Sequence, residues 1–168
     1  MSEENRIEVH LKHKDFEKKV VGRVDEVLRE VIAFLTEVFP NIELFSKLSL
    51  TVDANELLSA CQGIVAATPE GIVTLVNIEA LPDRDLILFH LAKAKVGYLL
   101  SKSEKETLLI GDLLSATKRS AGSIAGRLSE MCSEGFVERV GKGEYRITTY
   151  GLDYFLKSIV PKLKGVSE

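Results

Sequence analysis

Basic side chains and serines able to contact phosphate groups or base edges are concentrated between residues 118 and 146. Lysine and arginine neutralise phosphates, and an arginine directed at a guanine contributes about 1 to 3 kcal/mol of base discrimination. Serine hydroxyls suit phosphate or base contacts, and the start of a helix favours an anion. The residues with these properties are Lys118, Arg119, Ser120, Ser123, Arg127, Arg139, Lys142 and Arg146. They are candidate nucleic-acid contacts, and the alternative interpretation is a solvated cationic surface.

The first five of these residues lie on a predicted helix–turn–helix, within the segment from Asp112 to Phe136. The apolar spacing predicts a short helix over Thr107 to Ala116, whose inward positions are Leu109 or Ile110, Leu113 and Leu114. Residues 117–119 form the turn, and Ser120 caps the second helix. Spacings of four and three residues place three side chains on the buried face of that helix, namely Ile124, Leu128 and Met131.

A β-hairpin is predicted to follow, from Val137 to Thr148. Apolar residues alternate along two short stretches, which indicates two strands. A glycine on each side of Lys142 suits a tight reversal at the tip. The hairpin therefore presents one lysine at its end, with Arg139 and Arg146 on its strands.

The segment DLLSATKRSAGSIAGRLSEMCSEGFVERVGKGEYRITTYGL resembles the winged helix-turn-helix of archaeal and bacterial transcription regulators. In that family a helix, a turn and a recognition helix are followed by a strand of the form EGF/LVER, a wing, and a strand of the form RIT..G that enters a last helix. The resemblance covers roughly the last seventy residues, whereas the N-terminal hundred match no family that we can name.

This resemblance implies a DNA-binding transcription regulator that acts as a homodimer. Residues 120–134 would be the recognition helix in the major groove, and the wing at 137–148 would contact the backbone or the minor groove. Lys118 and Arg119 would anchor phosphates and Arg127 would read a guanine. Lys142 would meet the backbone or the minor groove, supported by Arg139 and Arg146. The implied partner is double-stranded DNA.

The chain departs from the family pattern around the turn. Lys118 stands where such motifs often have glycine, Leu114 stands where a small residue is more usual, and Gly122 and Gly126 thin the presumed contact face. Four acids near the same surface would oppose a phosphate backbone, namely Glu130, Glu134, Glu138 and Glu144. The alternative function is therefore a non-catalytic protein-interaction module that uses a winged-helix fold without binding DNA.

The N-terminal part is predicted to contain a small sheet and long helices. Residues 7–11 alternate as a strand does, and Asp15 is predicted to cap a helix that runs to Val38 and is stopped by Pro40. The apolar stripe of that helix is either core or part of a dimer seam. Asp53 is predicted to cap a helix to about Ala67, and a strand at 72–76 is predicted to pair with the first strand.

Pro82 is predicted to begin a buried helix that reaches about Ser101 and joins the two parts of the chain. Asp83 and Asp85 complement the dipole of its first turn. The last helix begins near Thr149, and Pro161 is predicted to kink or end it. The overall prediction is an α+β fold, mainly helical. It comprises an N-terminal α/β part over 1–81, which dimerises, senses a small-molecule effector or binds another protein, and a winged domain over 82–168.

Composition excludes several other classes of protein. The net charge of −3 divides into −5 over residues 1–101 and +2 over 102–168, so any basic patch is local. We expect a cytoplasmic protein because no secretory signal and no stretch long enough to span a bilayer is apparent. The two cysteines form no CxxC motif and are expected to be reduced. His10, His13 and His90 have no metal-ligand spacing, and no nucleotide-binding or nucleophile motif is present, so neither a metal, a cofactor nor an enzyme is predicted.

Overall fold

The computed structural model describes residues 6–42 and 48–165, which form a mixed α+β fold with more helix than strand, as predicted. The chain divides into two compact units, Met1–Leu50 and Thr51–Glu168. The boundary lies at residue 50, instead of the predicted residue 81. The reason is that Leu57, Cys61 and Ile64 belong to the same buried core as the helix that starts at Asp83.

The described part of the first unit includes a β-hairpin followed by a long helix. Strands β1 (Ile7–His13) and β2 (Phe16–Gly22) pair antiparallel, and α1 (Val24–Val38) follows. The helix predicted to start at Asp15 is therefore wrong over residues 15–22, because Asp15 lies in the turn and Phe16–Gly22 forms β2. Apolar residues four apart, such as Phe16 and Val20, share one face of a strand as well as of a helix. The start of α1 is capped instead by Glu26, whose carboxylate accepts from the backbone N–H of Arg23 at 3.0 Å.

The second unit begins with a short helix and a second hairpin. Helix α2 (Ala54–Ala60) is capped by Asp53 as predicted, with its carboxylate accepting from the Asn55 N–H at 3.2 Å. The helix ends earlier than predicted, and β3 (Val65–Thr68) pairs antiparallel with β4 (Gly71–Thr74). The predicted pairing of the 72–76 strand with the first strand is wrong because β4 returns directly alongside β3.

Helix α3 (Asp83–Leu99) is the centre of the second unit. Its residues Leu86 to Ala92 are all buried, so the prediction of a helix covered on several sides is confirmed. Asp85 is 3% exposed, and its carboxylate pairs with the Lys162 ammonium at 2.7 Å. This pair joins the first turn of α3 to the end of the last helix.

The remaining elements surround α3. Helices α4 (Ile110–Thr117) and α5 (Ala121–Ser133) precede a hairpin of β6 (Val137–Gly141) and β7 (Glu144–Ile147). Strand β5 (Leu108–Leu109) lies on the other edge of β7, which gives a three-stranded sheet of order β5-β7-β6. The hairpin was predicted, whereas the helix predicted from Thr107 begins three residues later.

The last helical region changes its hydrogen-bond pattern midway. Helix α6 (Thr149–Tyr154) continues through a π-helical segment, Phe155–Ile159, into α7 (Val160–Gly165). The Val160 N–H donates to the Phe155 carbonyl, five residues back. Pro161 has no N–H to donate, and the widened turn directly before it accommodates the proline. Pro161 therefore does not end the helical region, which continues to Gly165, and the observed irregularity is a change of helix type directly before it.

Candidate nucleic-acid interface

The turn between α4 and α5 is built around a left-handed residue. Lys118 has φ +54°, the conformation for which glycine is usual, and it ends α4 with its N–H donating to the Leu114 carbonyl at 3.0 Å. A non-glycine residue in this region costs on the order of 1 to 2 kcal/mol. Thr117 is buried, and its hydroxyl donates to the Leu113 carbonyl at 2.7 Å. The chain therefore turns sharply at Lys118 although this residue is not glycine.

Ser120 caps α5, as predicted from the sequence. Its hydroxyl oxygen accepts from the Ser123 N–H at 3.2 Å. Of the residues predicted to point inward, four are fully buried, namely Leu113, Ile124, Leu128 and Met131, whereas Leu114 is only partly buried against the core. Of the two alternatives at the start of α4, Leu109 is exposed and Ile110 packs against the core. These contacts fix which face of α5 points outward.

The outward face of α5 is formed largely by small residues. Ala121, Gly122, Ala125 and Gly126 are exposed, and a Cβ added at either glycine would meet no heavy atom within 4 Å. These four residues therefore permit close approach of another surface but offer it no side-chain hydrogen-bonding groups.

Arg119 and Ser123 converge on one carboxylate, that of Asp83 at the start of α3. The Arg119 Nε donates to Oδ1 at 3.0 Å, and the Ser123 hydroxyl donates to Oδ2 at 2.6 Å. The Ser123 hydrogen bond and the neighbouring Arg119 hold the pKa of Asp83 below its ordinary value. Asp83 is thus more than a partner of the helix dipole, because it positions two candidate DNA contacts.

Three of the other candidate arginines also have partners within the chain. Arg127 pairs with Glu130 on the same helix, and the Arg139 Nε donates to the Gly141 carbonyl at 3.2 Å. Arg146 pairs with Glu138 at 2.8 Å and with Glu106 at 3.2 Å. These pairs lie at or near the surface, where an exposed ion pair contributes roughly 0 to 1 kcal/mol.

Lys118 and Lys142 differ from the arginines. Both are exposed, and neither side chain has an ion-pair or hydrogen-bond partner among residues 6–42 and 48–165. Lys142 lies at the tip of the hairpin, next to Gly143 at φ +71°. These two ammonium groups are available to an anionic partner without breaking a contact.

A network of side chains that the sequence does not reveal links the loop before β5 to the hairpin. Glu106 accepts from Lys95 and Arg146, and Glu144 of β7 accepts from the hydroxyl of Thr107 and from Lys105 at 3.4 Å. Hydrogen bonds from Lys95 and Thr107, respectively, lower the pKa values of Glu106 and Glu144. Arg146 is 8 residues from Glu138 and 40 residues from Glu106 in the sequence, so no local pattern predicts these pairs.

The cysteines show no sign of a shared site. Cys61 and Cys132 are both free, and burial raises the pKa of the Cys61 thiol to about 11. Within the described ranges, no group of three or more His, Cys, Asp or Glu residues is placed to hold a metal ion. Over the same ranges, no helix has the length and apolar character that crossing a membrane requires.

Comparisons with protein-family models, with curated proteins and with solved structures find no match for this chain. The proposals below therefore depend on its own residues and geometry.

Proposed function

We propose that the second unit contains a winged helix-turn-helix and that the protein is a DNA-binding transcription regulator. The observation that carries this proposal is the order of elements: helix α3, strand β5, helices α4 and α5, then the β6–β7 hairpin beside β5. In a winged helix the second helix of the pair enters the major groove, and the hairpin lies against the backbone. Here α5 is the recognition helix and β6–β7 is the wing.

The distribution of charge supports a particular mode of contact. Lys118 at the turn and Lys142 at the wing tip are free to neutralise phosphates. Arg119 reaches a phosphate by leaving Asp83, which costs little because the exchanged ion pair is partly solvated. Arg127 lies further along α5 and supplies the base contact after release from Glu130.

Replacing Arg119 and Lys142 by glutamine is expected to weaken DNA binding similarly for all sequences. Each lost phosphate contact reduces the steepness of log K against log salt by about 1. The slope measured for the double variant should therefore be shallower by about 2 than that of the wild type. Fluorescence anisotropy with duplex genomic fragments, titrated from low to physiological salt, measures both quantities. The matched control is the double variant Lys12→Gln, Lys157→Gln, which removes the same charge outside the turn and the wing.

Two outcomes contradict this function. One is the absence of binding to any genomic fragment at low salt. The other is an equal loss of affinity in the control and the test variants.

A protein-interaction module is the second candidate, and the pairing of Arg119, Arg127 and Arg146 with acids favours it. The small-residue face of α5 suits a closely packed protein surface. If the protein is such a module, its affinity for the protein partner should not depend steeply on salt concentration. Substituting Lys142 should not lower that affinity.

We also propose that the first unit forms the homodimer interface. Helix α1 buries Val27 and Phe34, whereas a second apolar row is exposed, with Val24 at 48%, Leu28 at 55% and Ile32 at 61%. These three residues are four apart and lie along one side of the helix. An exposed apolar row of this kind is typical of an interaction site.

Replacing Leu28 by glutamate is expected to weaken self-association at least about tenfold, because a carboxylate would be buried in an apolar seam. Sedimentation equilibrium measures the dissociation constant. Ala33→Glu adds the same charge to the exposed polar side of α1 and is expected to leave association unchanged. A wild-type protein that is monomeric at high concentration contradicts the proposal.

A further inference from the structure

A cavity of about 230 Å³ lies in the second unit between α3, β4 and the loop that leads into β5. Its walls include Ile72 and Leu108, which are apolar. Gly97 brings the loop close to α3, since a Cβ there would lie 3.3 Å from the Ser103 Oγ. An apolar cavity of about 150 Å³ can hold benzene, so this one has room for a single substituted ring or a branched chain of similar size.

The charged side chains that line this cavity, apart from the neutral His90, are lysines, and Glu144 lies behind two of the lining residues, Lys105 and Thr107. Lys93, Lys102 and Lys105 line it, and no aspartate or glutamate of the described residues does so. Lys93 is half-buried, and its ammonium donates to the Thr74 hydroxyl at 3.2 Å without a carboxylate partner. Burial lowers the pKa of Lys93, because the ammonium loses hydration and no carboxylate of the described residues pairs with it.

The His90 side chain also lines the cavity, but its Nε2 atom is covered by protein. The side chain is 8% exposed, and its Nε2 has no hydrogen-bond partner among the described residues. Burial, with a smaller effect of Lys93, lowers the pKa of His90 to about 4, so the ring is neutral at pH 7. Leaving such a buried atom unpaired costs about 1 to 3 kcal/mol.

We propose that this cavity is a binding site for a small organic carboxylate with an apolar body. The carboxylate accepts from the Lys93 ammonium. The apolar body lies between Ile72 and Leu108. Lys102 and Lys105, which are exposed at the mouth, attract the anion.

The cavity is connected to the hairpin through its own lining residues. Lys105 and Thr107 line the cavity and also donate to Glu144 of β7. An anion that draws Lys105 inward weakens its contact with Glu144. Ligand binding is therefore expected to change the environment of residues 142–144, and this expectation does not depend on what the hairpin contacts.

The test uses benzoate as the probe, with benzamide and benzylamine as neutral and cationic compounds of the same shape. Titrations followed by ¹H–¹⁵N NMR on the full chain are expected to show benzoate binding at least about tenfold more tightly than either. The shifted amides should cluster around Lys93, Lys105 and residues 142–144. Inorganic phosphate should not displace benzoate, because it lacks the apolar body.

Two variants separate the site from general electrostatics. Lys93→Met keeps the aliphatic stem and is expected to reduce benzoate affinity at least about tenfold, whereas Lys157→Met removes the same charge outside the cavity and should not change it. Ala94→Leu places a larger side chain into the cavity and should abolish binding while the protein stays folded.

Equal affinity for benzoate and benzamide would overturn the proposal. So would equal effects of the two lysine variants, full binding by Ala94→Leu, or no benzoate binding at about 10 mM, a concentration that detects even weak ligands.

Discussion

Replacement of Gly151 by alanine is expected to lower the free energy of unfolding of the second unit by about 3 kcal/mol or more. Gly151 is buried in the first turn of α6, and a Cβ there would lie 2.2 Å from the Phe136 carbonyl oxygen and 2.8 Å from Ile147 Cγ1. That carbonyl belongs to the backbone and accepts from the Thr148 N–H at 3.1 Å, so it cannot move aside freely. The last helix and the β6–β7 hairpin must separate to admit one methyl group.

Urea unfolding followed by tyrosine fluorescence measures this effect, since all four tyrosines lie in the second unit. Gly126→Ala is the matched control because its Cβ meets nothing within 4 Å. Alanine in that helix interior should stabilise the protein by up to about 1 kcal/mol. A Gly151→Ala variant within about 1 kcal/mol of the wild type contradicts the close packing of helix and hairpin.

The second large effect concerns His90 and pH. Its pKa is lowered to about 4 in the folded protein from an ordinary value near 6.5. Between these values the unfolded chain binds a proton that the folded protein does not, so the free energy of unfolding falls as pH is lowered from about 6.5 to about 4. The full loss is about 3 kcal/mol, present below the folded pKa.

His90→Gln removes this titration and should flatten the dependence in that window. The remaining loss at lower pH comes from carboxylates such as Glu106, whose lowered pKa keeps it ionised into more acidic solution. An NMR titration of the His90 ring gives the pKa directly. A value near 6.5 would contradict the burial of His90, and an unchanged pH dependence in His90→Gln would assign the effect to another group.

Local sequence patterns predicted the caps and the buried faces because both depend on neighbouring residues. Ser120 and Asp53 cap their helices, and the spacing of Ile124, Leu128 and Met131 places them in the core. The same reasoning was wrong for residues 16–22. Their four-residue spacing fits two structures, and the pairing with β1 that favours a strand does not appear in that pattern.

The contacts around the candidate site were not predictable because their partners are distant in the chain. Asp83 lies 36 residues before Arg119, and Asp85 lies 77 residues before Lys162. Composition showed both charges of each pair but not their proximity. The cavity beside His90 likewise depends on how the 102–108 loop returns to α3, which no periodicity encodes.

The π-helical segment before Pro161 determines which way the side chains of the last helix, α7, point. A π turn is equivalent to one residue inserted into a regular helix, which rotates everything after it by about 100°. Lys162 and Leu163, which follow this segment, are therefore rotated from the positions that an uninterrupted α-helix would give them. This rotation brings Lys162 to the buried Asp85 and Leu163 into the core. The π-helical segment thus sets the orientation of the last helix that allows Asp85, in the first turn of α3, to pair with Lys162, 77 residues later.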